Sequence, residues 1–151
     1  MIVSMIVVAL LVALDQVVKA WVVAHIAVGE TIAFLPGLAL THLQNDGAAF
    51  SMLRGQQWFF YLITVISLVV VAWLWRDAKH SRFYKAGLVL ILAGTLGNFI
   101  DRLRFGAVTD MFETTFMNFA IFNVADACLT IGVIIVVIYL LFMDGKERPS
   151  R

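Results

Sequence analysis

Four stretches of this chain are long and apolar enough to cross a lipid bilayer: residues 2–23, 58–75, 83–102 and 122–143. A spanning helix needs about 20 mostly apolar residues, because the hydrocarbon core gives an unpaired backbone no water to bond. The second stretch, "WFFYLITVISLVVVAWLW", carries no charge at all, whereas the first is broken by Asp15, Gln16 and Lys19. The apolar run of the third ends at Ile100, with Asp101 and Arg102 closing the span. The apolar fraction is 62%, the charged fraction only 14%, and the mean hydropathy +0.96. Soluble domains hold roughly 45–50% apolar residues, so a soluble surface cannot be covered here. The chain reads as an integral membrane protein, mainly α, with four transmembrane helices in a single membrane domain over residues 1–151. A net charge of +1 and the lack of a basic run give no reason to expect a nucleic-acid partner. The single Cys128 excludes an internal disulfide and a multi-cysteine metal site.

The start of the chain reads as a retained helix and not a cleaved leader. No Lys or Arg precedes the apolar run, Asp15-Gln16 follows it where small residues would mark cleavage, and the apolar pattern resumes after Lys19. Loop charges then set direction. Arg76, Lys79, Arg82 and Lys85 lie between spans two and three, and Lys146, Arg148 and Arg151 follow span four. The opposite side holds Arg54, Arg102 and Arg104. The positive-inside rule places both termini in the cytoplasm. Trp21, Trp58, Trp73 and Trp75 fall near span ends, where amphipathic rings favour the interface. The loop of about residues 26–57 is then outside. Within it, residues 31–35 and 38–43 flank Pro36-Gly37 with partial alternation, which predicts a small extracytoplasmic β-sheet in this first outer loop.

On this topology the unusual polar residues converge. Asp15 and Lys19 fall in the outer half of span one; Asn98, Asp101 and Arg102 close span three; Asn123 and Asp126 open span four. Asn45, Asp110 and Glu113 lie in outer loops, and span two contributes no ionisable group. Ionisable groups within membrane segments usually face a bundle interior or cavity, so a polar site at the outer side is expected. Ala93, Gly94 and Gly97 would let helices approach closely there. Plainer readings stand beside this one. Asp15 and Lys19, at i and i+4, can neutralise each other. Asp101 and Arg102 can anchor a helix end in the headgroups, and Asn123 or Asp126 can be a helix N-cap. Glu113, His25, His42 and His80 read as solvated or interfacial. The scattered histidines lack metal-site spacing. Cys128 reads as a small buried hydrophobe.

Two carboxylates held close together cannot both ionise easily. One keeps a proton, which sets an acid beside a base that can activate a water and protonate a leaving amine. Asp110 and Asp126 are the best candidates, one just after span three and the other at the head of span four. Such chemistry needs neither cofactor nor metal. The competing readings are a proton- or ion-relay subunit and a G-x-G-D intramembrane protease. The acids gather at one face without crossing the bilayer, and the chain has no G-x-G-D.

Five segments, "DQVVK", "NDGAAF", "GNFIDR", "VTDMF" and "FNVADA", together resemble the bacterial type II (lipoprotein) signal peptidases in order and topology, over residues 10–135. The resemblance implies a membrane aspartyl endopeptidase of the bacterial cell membrane, with its active site at the outer face. Its substrates would be prolipoproteins carrying diacylglycerol on the lipobox cysteine, cleaved on the N-terminal side of that cysteine. It implies catalytic roles for Asp110 and Asp126. Supporting roles fall on Asn45, Gly47, Asn98, Asp101, Arg102 and Asn123, and on Asp15 and Lys19 of the first span. It also implies a small outer sheet cradling the site, a mobile amphipathic segment within 26–57, membrane lipid as a partner, inhibition by globomycin and action as a monomer. The chain departs from the family pattern at Met111, where Phe usually follows the aspartate, and at Ala127, where Ser is frequent.

Overall fold

The computed structural model describes residues 1–47, 52–76, 78 and 81–143. Residues 48–50 of "NDGAAF", Lys79, His80, and the end from Asp144 with Lys146, Arg148 and Arg151 lie outside the described residues. Four helices form the body: α1 (Ile2–His25), α2 (Gln57–Leu74), α3 (Arg82–Phe105) and α4 (Val124–Phe142). All four are long and apolar enough to span a membrane. Each follows its sequence window to within a few residues. The largest difference is at α3, which runs on to Phe105 and stops where Gly106 turns left-handed at φ 69°. Leaving the hydrocarbon does not end a helix, and glycine tolerates that cap at no steric cost. The other end of α3 is capped by the Ser81 side chain, which accepts the Tyr84 amide proton.

Helices α3 and α4 pack at close range because small residues line the contact. A methyl group added at Gly132 would sit 2.8 Å from the Gly87 carbonyl oxygen. Without a hydrophobic drive between helices in lipid, such backbone approach is what joins them. Around this contact lies an apolar core of Val71, Tyr84, Leu88, Val136 and Tyr139, with the two tyrosine rings stacked at 4.5 Å. At the other end of the bundle the helices enclose polar side chains.

The sheet has three strands, and this revises the sequence expectation. β1 (Thr31–Leu35) and β2 (Leu38–Asn45) form the expected hairpin about Pro36-Gly37, with Gly37 at φ 84°. A third strand, β3 (Val108–Thr114), comes from the connection between α3 and α4, and the antiparallel order is β1-β2-β3. A two-stranded hairpin is marginal alone and leaves an unpaired edge beside β2. β3 closes that edge and turns Asp110 from a loop acid into a strand residue paired with Leu43. An isolated bridge between Phe112 and Phe122 continues the pairing toward α4. Leu40 and Met111 pack with Val22 and Ile26 of the α1 end, so the sheet is fixed to the helices by an apolar cluster.

Candidate active site

Asn123 organises the polar end. It is the N-cap of α4: its side-chain oxygen accepts the Asp126 amide proton at 2.8 Å, and the Asp126 carboxylate accepts the Asn123 amide proton at 3.2 Å. This reciprocal capping box satisfies donors that a helix start leaves open. The Asn123 side-chain nitrogen is then free to reach elsewhere. It donates to Asp110 Oδ1 at 2.6 Å and to Asn98 Oδ1 at 3.1 Å. One fully buried asparagine therefore touches both candidate carboxylates. Capping and site-building are the same act here, so the plain reading of this position and the functional one both hold.

Three neutral amides hold the two acids. Asp110 accepts from Asn123 and, at Oδ2, from Asn45 at 3.0 Å. Asp126 accepts from Asn98 at Oδ1, 2.7 Å away, and from the Asn123 backbone at Oδ2. Every carboxylate oxygen has one donor, and each keeps a lone pair for a water or substrate. Among the described residues no cation bonds directly to either acid. Burial pushes the Asp110 carboxyl up to about 6, and the neighbouring Asp126 charge pushes the same way. Hydrogen bonds from Asn45 and Asn123, and the more distant Lys19 ammonium, oppose that shift.

Behind this shell lies a buried ionic cluster. Lys19 Nζ contacts Asp15 at 2.8 Å, Asp101 at 3.0 Å and Asn98 Oδ1 at 3.1 Å, which uses all three of its protons. Asp15 and Lys19 do pair within α1, but the pair also reaches two other helices. Asp15 accepts the Ala125 amide proton at 2.9 Å, so α1 caps the start of α4 from outside. Asp101 accepts from Gln16 at 2.8 Å and from the Thr109 amide at 3.2 Å. It is 2% exposed, so it is an internal tie between α1, α3 and β3 and not a headgroup anchor. Gly97 makes the cluster possible: a methyl group there would stand 2.8 Å from Asp15 Oδ2.

Arg102 stands at the wall with its guanidinium 4.5 Å from the Phe60 ring centroid, and it donates to the Gly47 carbonyl at 3.4 Å. Gly47 in turn gives its amide proton to Asn45 at 3.0 Å. The Arg102 Nε is buried and has no partner among the described residues. Tyr61 donates to the Arg102 carbonyl at 3.2 Å. These groups surround an open cavity of about 480 Å³. Asn45, Gly47, Asn98, Arg102, Asp110 and Asp126 form its polar wall. Phe119, Ile121, Phe122 and Ile131 are among the residues of its apolar wall. Ala127 also lines it. Met111, the other departure from the family pattern, points away and is fully buried under the sheet.

All ten residues singled out in the sequence meet at this end of the bundle, in the cavity wall or the ionic cluster behind it. Several contributors were not singled out. Gln16 was visible as a polar interruption of an apolar span. Phe60 and Tyr61 carried no signal, since an aromatic supporting a guanidinium reads like one facing lipid. His42, expected at a solvated or interfacial place, is buried at 3% exposure. Its Nδ1 lies 2.7 Å from the Ile26 carbonyl, which satisfies the ring inside the sheet–helix junction. Glu113 is half-buried against the Thr41 hydroxyl, which is compatible with the interfacial place expected of it. His25 is exposed and Cys128 buried, as expected.

Residues 7–142 match the model of a family described as signal peptidase (SPase) II. The lipoprotein signal peptidase of Lactiplantibacillus plantarum is 52% identical over 139 residues, covering 91% of this chain and 93% of that one. The lipoprotein signal peptidase of Enterococcus faecalis is 53% identical over 145 residues, covering 95% and 90%. A bacterial membrane enzyme solved by the in meso method at 2.3 Å resolution superposes with a TM-score of 0.88 at 37% identity, over 99% of this chain and 94% of that one. A second such structure, at 1.9 Å resolution, gives a TM-score of 0.85 at 38% identity, over 93% and 94%.

Proposed function

Because this chain belongs to the signal peptidase II family, a family of membrane proteases that cleave signal peptides from prolipoproteins, we propose that Asp110 and Asp126 are the catalytic pair of an aspartic endopeptidase. The observation that carries the reading is Asn123, whose side chain and backbone hold one oxygen of each acid at the wall of a single cavity. The reactive form of the pair holds one proton, and Asp110, raised to about 6, can take it up far closer to neutrality than an ordinary carboxyl. The other carboxylate takes a proton from a water between them. That water's oxygen attacks the scissile carbonyl carbon while the protonated acid donates to the carbonyl oxygen, giving a neutral tetrahedral diol. One acid then gives a proton to the amide nitrogen while the other carboxylate takes one from a diol hydroxyl, and the C–N bond breaks to leave a carboxylic acid and an amine. The Arg102 side chain at the cavity wall would donate to a substrate backbone carbonyl.

The apolar wall of the cavity suits a substrate that carries acyl chains, and the polar wall suits the peptide to be cut. We read the substrate as a diacylglyceryl-modified prolipoprotein, cut on the N-terminal side of its lipidated cysteine. The charge asymmetry of the loops supports cytoplasmic termini and a site at the outer face of a bacterial cell membrane. A globomycin-type inhibitor would compete for the same cavity, and we read the chain as acting as a monomer. The deciding experiment is cleavage of a diacylglyceryl prolipoprotein by Asp110→Asn and Asp126→Asn variants that still insert. Each should lose activity by at least about a thousandfold, the scale of general acid–base catalysis. Near-normal turnover in either variant would remove the dyad. The same assay with unmodified substrate tests the lipid requirement.

A further inference from the structure

Strands β2 and β3 change register beside Asp110. Leu38, Ala39 and Leu40 pair with Thr114, Glu113 and Phe112, but the next pair is Leu43 with Asp110. Thr41 and His42 therefore stand opposite the single residue Met111, which is a β-bulge. The extra residue decides which face Asn45 takes. In the bulged register Asn45 pairs with Val108 and shares the face of Asp110, whose Oδ2 accepts its proton at 3.0 Å. Continued from Leu40 without the bulge, the ladder would set His42 opposite Asp110, and Asn45 would turn to the other face.

His42 fastens this bulge to the chain that leaves α1. Its amide donates to the Glu30 carbonyl at 3.1 Å, and its carbonyl accepts from the Gly29 amide at 2.8 Å. Those two backbone bonds are open to any residue with a free amide. The third is not: the ring Nδ1 lies 2.7 Å from the Ile26 carbonyl. A carbonyl only accepts, so Nδ1 carries the proton and Nε2 of the neutral ring is the acceptor. Gln44 Nε2 donates to it from 3.0 Å, and also donates to the Thr109 hydroxyl at 3.0 Å. Gln44 and Thr109 are the pair that follows Leu43 and Asp110, so side chains lock the ladder just past the bulge.

We propose that His42 is a positioning residue: its ring pins the Thr41–His42 bulge to the end of α1 and so holds Asn45 on the face of Asp110. A buried imidazole is costly unless its nitrogens are bonded, and here both bonds act on the register of β2. The consequence is electrostatic. The Asn45 bond favours the charged form of Asp110 and opposes the burial that raises its carboxyl. The charges acting on Asp110 come from Asp126 of α4, Lys19 of α1 and Arg102 of α3. Glu113, farther along β3, is engaged with Thr41, and β2 has no ionisable side chain except His42 itself. Loss of the pin releases Asn45 and lifts Asp110 further. That this changes cleavage rests on the aspartic-peptidase reading; that it changes Asp110 does not.

The test titrates Asp110 directly. The full chain, labelled with carbon-13 at its aspartate carboxyls, is followed by NMR in detergent against pH, and the Asp110 signal is identified by its loss in Asp110→Asn. In Asn45→Ala the Asp110 midpoint should rise by about one pH unit, the scale of a lost hydrogen bond to a charged group. His42→Ala and His42→Gln, which lack a donor at the Nδ1 place, should raise it by a similar amount. His42→Asn, whose amide nitrogen can replace Nδ1, should titrate like the parent. The His42→Ala, Asn45→Ala double variant should shift no further than either single variant, because both act through one bond. A merely structural histidine would lower the melting temperature in all three variants at 42 and leave the Asp110 midpoint in place, which would overturn the proposal. So would additive shifts in the double variant, or a shift in His42→Asn equal to that in His42→Ala. If the alanine variant does not fold, the Gln and Asn variants decide. The alkaline limb of kcat/KM for a prolipoprotein should move up in the same variants. A moved titration with an unmoved limb would leave His42 in its role and count against the catalytic pair instead.

Discussion

Helices α3 and α4 touch along much of their length, and the two ends of the contact are built differently. At Gly87 and Gly132 backbone meets backbone, and the surrounding side chains are Leu88, Val136 and the stacked Tyr84 and Tyr139. At Gly97 the space left by a missing side chain is filled by the Asp15 carboxylate and Ala125. Behind it Lys19 and Asp15 together tie α1 to α3 and α4. The first contact needs only shape. The second needs charge balance, complete hydrogen bonding and shape at once, and a half-satisfied polar network in low dielectric is worse than none. The apolar contact therefore holds the helices together, and the polar one sets the register and depth at which Asp126 is presented. Substitutions at the first should reduce the amount of folded protein without changing its turnover. Those at the second should change both.

The sharpest test of that division is Lys19→Met. It removes the ammonium from between Asp15 and Asp101, which are 1% and 2% exposed. Breaking a buried ion pair from one side costs about 3–5 kcal/mol, because the abandoned charge stays buried. Thermal unfolding in detergent should shift by that amount. Stability within about 1 kcal/mol of the parent would show that the cluster is not ionic glue. At the apolar contact, Leu88→Ala empties a site that is 0% exposed and should cost about 3 kcal/mol. Cleavage per folded molecule should stay at the parent value. A fall in kcat beyond twofold would mean that the two contacts are not separable.

Acid strength gives a third comparison, confined to the polar end. Asp110 is raised from 3.8 to about 6 in the folded protein. Between those values the folded state keeps a proton that the unfolded chain has released, so stability falls as pH rises through that window and stays reduced above it. Asp110→Asn removes the loss while keeping one acceptor oxygen. Relative to the parent it should gain stability above pH 6, by at most about 3 kcal/mol, and gain nothing below pH 3.8. A variant no more stable than the parent at pH 8 would refute the raised acid. Asn123→Ala should act on stability less, about 1 kcal/mol for a lost cap. It also frees Asp110 from the amide 2.6 Å away, so kcat should drop about a hundredfold, the range for a displaced catalytic group.

How much of this was readable beforehand differs between the ends as well. The spans were legible because a bilayer imposes length and apolarity on every helix that crosses it. The polar residues were legible because each is an anomaly in its span, and topology alone puts Asp15, Asn98 and Asn123 at one depth. What the pattern could not give was partnership. Nothing in the β3 segment announces that it pairs with β2, because strand pairing joins residues far apart in the chain, such as Asn45 and Val108. By position His42 reads as solvated or interfacial, yet the Ile26 carbonyl lies beside its ring; Asp101 reads equally as a headgroup anchor or as support for the site, and only Lys19 and Gln16 beside it decide for the second. Polar residues at span ends have two physical fates, water or a buried partner, and the sequence does not choose between them.

The smallest expected effect tests whether function on α4 is confined to one face. Successive residues of a helix are about 100° apart, so Cys128 points some 200° away from Asp126, while Thr130, one turn on, returns to its side. The cavity agrees: Asp126, Ala127, Thr130 and Ile131 line it and Cys128 does not. Cys128 is 8% exposed and acts as a small buried hydrophobe. Cys128→Ala should therefore cost at most about 1 kcal/mol and leave kcat and KM for a prolipoprotein unchanged. Thiol reagents should not inhibit the parent enzyme. If the variant lost activity while its melting temperature held, the back of α4 would have to be coupled to the acid at its front through the first turn of the helix, where Asp15 accepts the Ala125 amide proton. The division between a face that packs and a face that reacts would then fail within a single helix.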